Sequence, residues 1–352
     1  MGKPRALIVI AAALLFGSIG NAAIQPGKVL TFKNWAVGCD NVGMCQSVPL
    51  SAPDAAGQAM ALTLSRAAGA AGAISISISA ADSHSDRYQL LVDDRVVDTG
   101  PLMPDAAPVK IGGKEALRIV QSMKKGLAIT LVDGAGVVQG KASLAGYTAA
   151  LRHIDVVQGR AGTNSALVVR GRKAMRKPAL TAPLILAKKV VPTPNIPDAT
   201  SLVALAESSK CAPDREGVIQ DTAYSLGKLG GTDRALALIS CGNGAYNFST
   251  AVYIGSLDVS GKWTFEPAKF DYEQNIDAAK DGLQLIINGG WDAASQTISS
   301  SSRARGVGDC GRAQTYIWDG NMFRLVRASV MDECRGSLNW ITVWQADSKL
   351  VS

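Results

Sequence analysis

Histidine is almost missing from this chain: there are two, His84 and His153, in 352 residues. That scarcity leaves few bases to activate a nucleophile and few imidazoles to ligate zinc. Serine is abundant, yet no G-x-S-x-G elbow occurs. Aromatic residues make up 5% of the chain. Past the first residues, no apolar run approaches the ~20 needed to cross a bilayer. Internal repeats are absent, and so are the basic-plus-aromatic arrays of nucleic-acid readers. No nucleic acid is expected as a partner.

What is present begins with an export signature. Lys3 and Arg5 form a positive start, and Ala6 to Phe16 is an apolar stretch of about eleven residues. Small residues follow, so residues 1–22 read as a signal peptide cut near Asn21–Ala23. An uncleaved anchor is the alternative. The expected location is periplasmic or secreted. An even number of cysteines in an exported chain reads as disulfides. Six cysteines admit 15 pairings, and the local one is expected: Cys39–Cys45, Cys211–Cys241 and Cys310–Cys334. Zinc is the alternative, but Cys39 and Cys45 are too widely spaced for a knuckle. Bridged cysteines also leave no thiol nucleophile.

The formal charge is +7, or about +5 without Lys3 and Arg5. From Arg152 to Lys189, nine cations accompany one acid, Asp155. That stretch reads as an extended spacer or as a contact for anionic surfaces.

The fold class expected is α+β: two mainly antiparallel-β domains with a few short helices, stapled by disulfides. Residues 23–165 form the first domain. Ile74, Ile76 and Ile78 alternate with serines, which indicates a half-buried strand. Asp93-Asp94 and Asp133-Gly134 read as hairpin turns. Helices are expected near Lys114 to Lys124 and from an N-cap at Ser143 to Gly159. Residues 166–199 form a basic, proline-rich linker. Residues 200–352 form the second domain, with a short helix near Leu202 to Ser208, many strands, and an Asp319-Gly320 hairpin.

Several patterns are similar to known families. Phe32, Trp35, Val37, Cys39, Asp40 and Cys45 resemble the opening of secreted bacterial proteins of the invasion-associated locus B type. The segments Cys241–Asn247, Arg305–Gly311, Trp318–Gly320, Cys334–Gly336, Trp340…Trp344 and the helix Ala149–Arg160 resemble the family called domain of unknown function 1176. The resemblance covers nearly the whole chain after the signal segment. It implies a periplasmic or secreted bacterial protein, and it supplies no activity and no functional residue.

Gly306-x-Gly308-x-x-Gly311 matches a dinucleotide fingerprint literally, but no hydrophobic strand precedes it and no helix follows. No cofactor is expected. The surrounding arginines, Arg303, Arg305 and Arg312, suit an anion instead. Asp82, His84 and Asp86 would share one face of a strand as metal ligands, but flanking serines favour a solvated loop. Asp309 and Asp332, beside the third disulfide, are the first acid/base candidates. The tryptophans of the second domain suit either a sugar platform or a core, and the core is favoured. The leading expectation is a non-enzymatic envelope protein. Its contacts would be Gly244, Tyr246, Asn247, Arg305, Asp309 and Arg312, on loops Gly242–Asn247 and Arg303–Arg312. The partner is unknown: an envelope component or an anionic surface. The alternatives are a paired-carboxylate hydrolase and a polyanion-binding module using the basic stretch.

Overall fold

The computed structural model describes residues 24–52, 59–79, 85, 87–97, 109–209, 211, 221–272 and 283–352. The expected signal peptide and the Asp82, His84, Asp86 trio lie outside the described residues. The first half holds β1 (Val29–Phe32), β2 (Trp35–Cys39), β3 (Cys45–Pro49), β4 (Leu62–Arg66), β5 (Ile74–Ile78), β6 (Tyr88–Val92), β7 (Arg95–Val96) and β8 (Val109–Gly112). Then come α1 (Gly113–Met123), β9 (Ala128–Asp133), β10 (Val138–Ser143) and α2 (Tyr147–Val157). β11 (Leu184–Lys188) and α3 (Ala199–Ser208) lead into the second half. There follow β12 (Thr222–Leu229), β13 (Thr232–Asn243), β14 (Phe248–Leu257), β15 (Trp263–Pro267), β16 (Leu285–Ile287) and β17 (Trp291–Asp292). The last are β18 (Thr297–Arg303), β19 (Gly311–Trp318), β20 (Phe323–Met331), β21 (Ile341–Gln345) and β22 (Asp347–Val351).

The strands form mainly antiparallel sheets with short helices, so the chain is α+β and β-rich. The first half has sheets ordered β1-β2-β3-β4-β5-β8 and β10-β9-β6-β7. The second half has β12-β13-β14-β15, with β16 on β14, and β17-β18-β19-β20-β21. All three local disulfides are formed.

Periodicity explains the elements. Ile74, Ile76 and Ile78 are buried while the intervening serines face outward. α1 buries Ala116, Ile119, Val120 and Met123 on one stripe. α2 begins later than Ser143. Ser143 stays in β10, where its Oγ accepts the Ala145 N–H at 3.2 Å. Gly146 caps the helix at φ 94°. A Cβ there would lie 1.7 Å from the Phe32 carbonyl oxygen, so the close approach of β1 requires glycine.

The two halves share a wall. β2 sends Trp35 and Val37 into the first core and Ala36, between them, into the second. Val48 and Leu50 join Ala36 in the second core. Arg335 fastens the seam. Its guanidinium donates to the carbonyls of Ser51 (2.9 Å) and Lys33 (2.6 Å) and to Asn34 Oδ1 (2.6 Å). The Thr342 N–H donates to Gln46 Oε1 at 2.8 Å.

The basic stretch is extended, as its prolines dictate, but it is attached along its length. β11 pairs in parallel with β22, and the Lys189 N–H reaches the Val351 carbonyl at 2.7 Å. Its cations do not form one strip. Arg160 is fully buried, while Arg170 and Lys177 hydrogen-bond the Ala166 and Val157 carbonyls.

Candidate functional site

The loop between β13 and β14 meets the loop between β18 and β19. Asn247 joins them: its Nδ2 donates to the Arg303 carbonyl at 2.8 Å, and its Oδ1 accepts the Arg303 N–H at 3.0 Å. The Tyr246 hydroxyl donates to the Ala304 carbonyl at 3.1 Å. Gly244 closes its own loop through an N–H···O bond of 2.7 Å to Asn247. The structure therefore brings Gly244, Tyr246 and Asn247 into one surface with the segment from Arg303 to Arg305.

The residue that locks this surface is one that sequence reasoning missed. Asn288 Nδ2 reaches the carbonyls of Tyr246 (3.0 Å) and Ser301 (3.1 Å) and Asn247 Oδ1 (3.1 Å). Its Oδ1 accepts the Phe248 N–H at 2.9 Å. Asn288 sits at φ 46°, where asparagine is among the few tolerated side chains. The signal was the Asn-Gly-Gly run at 288–290, a turn signature at the end of an apolar strand.

Asp309 lies beneath the loop rather than on it. Its buried carboxylate takes both Arg305 Nε (2.7 Å) and Arg305 Nη2, and it also accepts the Gly336 N–H at 2.6 Å. Arg305 holds this carboxyl below the usual range, and the same contact raises the Arg305 guanidinium. Arg312 pairs separately with Asp332 at 3.4 Å, both partly exposed. Asp309 and Asp332 thus each serve an arginine of their own. A second pair, Asp271 and Asp319, is bridged by Arg324 at 3.8 and 2.6 Å. Burial raises the Asp271 carboxyl. Asp319 accepts the N–H groups of Asn321 and Met322, both at 2.8 Å, so it braces the β19–β20 turn.

The Gly306–Gly311 pattern joins strand β18 to strand β19 and opens no helix, so it lacks the context of a dinucleotide site. The Gly308 N–H is already bonded to the Arg305 carbonyl at 3.0 Å. Trp318 is buried, and Trp291, Trp340 and Trp344 are partly buried against the second core. Trp318 and Trp291 lie 5.1 and 6.2 Å from the buried ring of Phe323. Among the described residues no cluster of three or more His, Cys, Asp or Glu side chains is placed to hold a metal ion.

The Ala149–Arg160 motif divides by helix face. Asp155 is buried and accepts the N–H groups of Leu167 (2.8 Å) and Val168 (2.9 Å). Arg160 donates to Gln158 Oε1 (2.7 Å), Ser165 Oγ (3.1 Å) and the carbonyls of Ala67 (3.1 Å) and Gly69 (2.5 Å). Burial, with Arg160 nearby, lowers the Arg66 guanidinium to about 10. His153 faces outward, 6.0 Å from the Phe32 ring, and partial burial lowers its pKa.

These features define a disulfide-stapled β-rich protein whose recognisable polar motifs mostly brace its backbone. The chain belongs to the family described as "Protein of unknown function (DUF1176)", whose model matches residues 29–347. It is similar to "Uncharacterized protein YpfG" of Escherichia coli (strain K12), 28% identical over 347 residues, covering 89% of this chain and 91% of that protein. No solved structure matches the chain.

Proposed function

We propose that this is an exported, non-enzymatic binding protein of the bacterial cell envelope, with the fused loop surface as its contact. The three disulfides support export, because such bridges persist in oxidising compartments. The observation that carries the reading is what the locked loops leave outside. Val307 is 68% exposed, and Phe248, where β14 leaves the loop, is 54% exposed, beside the hydrogen bonds of Asn247 and Asn288. Arg303 beside them makes no ion pair among the described residues. Phenylalanine and arginine are enriched at protein interfaces, and Val307 adds exposed apolar area beside them.

The test is co-sedimentation of the oxidised protein with purified envelope fractions at low and high salt. The wild type is expected to sediment at both. At high salt the triple variant F248S/V307S/R303Q is expected to stay in the supernatant while keeping its melting temperature. If that variant sediments like the wild type at high salt, the loops are not the contact.

A further inference from the structure

A second surface lies at the other end of the same strands. β11 alternates so that Leu184, Leu186 and Lys188 share a face. Both leucines are more than half exposed. The chain then crosses β12, forming a groove of about 280 Å³ lined by Lys188, Lys189, Val191, Lys228, Leu229 and Arg234. Val191 is 73% exposed and Leu229 43% exposed.

This groove is built rather than incidental. β12 carries a bulge between Ser225 and Lys228, a device that re-aims side chains. At the bulge Gly227 adopts φ 74°, and a Cβ there would stand 2.6 Å from the Val191 carbonyl oxygen. Buried Gln296 clamps the lysine backbone, donating to the Lys188 carbonyl at 2.9 Å and accepting the Val190 N–H at 2.7 Å. Thr193 is held by an N–H···Oγ bond of 2.9 Å to Ser225.

Cations outnumber acids at this groove. Lys188, Lys189 and Lys228 make no ion pair among the described residues. Arg234 reaches exposed Glu266 at 3.4 Å, yet its Nε is buried with no hydrogen-bond partner. Asp233 accepts the Asn195 amide at 2.8 Å, and nearby Lys228 helps hold its carboxyl low.

We infer that this end of the molecule binds an anionic phospholipid surface. Leu184, Leu186, Val191 and Leu229 meet the acyl boundary, and Lys188, Lys189, Lys228 and Arg234 take the head-group phosphates. Apolar residues rimmed by cations are the composition of an interfacial membrane contact. Such binding weakens with salt, as exposed charges are screened. β13 runs from Arg234 at this groove to Asn243 at the loop surface, roughly 30 Å at 3.3 Å per residue. β19 returns from Gly311 to Trp318. A membrane at the groove would therefore leave the loop surface pointing away from the bilayer. The two sites use different residues, so either can fail alone.

Flotation with phosphatidylglycerol–phosphatidylcholine vesicles tests this. The wild type is expected to float with these vesicles and not with pure phosphatidylcholine. K188Q/K228Q/R234Q and, separately, L184S/L186S are expected to weaken flotation at least tenfold. A charge-matched control away from the groove, R95Q/K114Q/K125Q, is expected to float normally, and circular dichroism checks the fold of each variant. Unchanged flotation by the groove variants overturns the inference. So does equal loss in the control, which would mean general electrostatics. Protection against thermal unfolding by inorganic phosphate without any flotation overturns the lipid in favour of a free phosphate ligand.

Discussion

Asp155 in the first half and Asp309 in the second are both buried carboxylates that accept backbone N–H groups, and each has an arginine within five residues. They diverge in what the arginine does. Arg160 is fully buried, and its donors end on Gln158, Ser165 and the carbonyls of Ala67 and Gly69. Arg305 gives one edge to Asp309 and leaves its side chain 49% exposed. The first network therefore only fastens α2 to the strand-end loops. The second fastens the loop base and still presents a cation to solvent. A polar motif alone does not separate these roles; the fate of each donor does.

Breaking the first network should have the largest effect. R160M strands two backbone carbonyls and the Gln158 oxygen, and removes a cation that attracts the Asp155 carboxylate. A loss of about 3–5 kcal/mol is expected, as for removing one partner of a buried charge network. Urea unfolding would show a large drop in midpoint. A loss under about 1 kcal/mol would mean that Arg160 behaves like a surface cation.

The disulfides sharpen the same comparison by length. The Cys310–Cys334 bridge closes 24 residues beneath the second network, and Cys39–Cys45 closes 6 at the head of β2–β3. Chain entropy gives about 3 kcal/mol for the first and about 2 kcal/mol for the second. C310S/C334S should therefore melt lower than C39S/C45S. The reverse order would show that the small loop's turn, where Asp40 accepts the N–H groups of Val42 (3.0 Å) and Met44 (2.9 Å), depends on its bridge.

Much of this was legible beforehand, for physical reasons. Local cysteine pairs, α1, the alternating isoleucines and the Asp319-Gly320 turn all follow from short-range rules, and the structure has each of them. Asp93-Asp94 turns with both residues at positive φ, as a primed hairpin turn demands. β18 carries no apolar alternation to mark it as a strand, because its core is four serines. Ser300 is buried nonetheless, where its Oγ accepts the Ile287 N–H at 3.0 Å. The shared wall at β2 and the parallel β11–β22 pair were invisible too, since long-range pairing leaves no local period. At the candidate site, the loops could be named from sequence. Their fusion through Asn288, and the burial of Asp309 beneath them, depend on contacts between residues far apart in the chain.

A pH experiment probes the second network more gently. Arg305 and the Gly336 N–H keep the Asp309 carboxyl below its ordinary value of 3.8. A depressed folded pKa contributes stability that is present above the unfolded value and lost as pH falls through the folded one. The wild type should therefore lose stability below about pH 4. D309N lacks this contribution at every pH. It should be less stable by about 1–3 kcal/mol at neutral pH, with a gap that narrows on acidification. A constant gap from neutral to acid pH would assign its cost to packing instead.

The smallest expected change in stability tests the separation of roles most directly. Phe248 and Val307 belong to neither polar network's hydrogen bonds through their side chains, and both face solvent. F248S/V307S should therefore shift unfolding by no more than about 0.5 kcal/mol, against several for R160M. Its effect belongs in binding: envelope co-sedimentation at high salt should fall while the urea curve overlays the wild type. If stability falls by more than about 1 kcal/mol, the side chains are buried in solution, and the loop surface is part of the scaffold, as Asp155 and Arg160 are. If stability holds and sedimentation falls, the second half combines a braced base with an outward face, which the buried Arg160 network lacks.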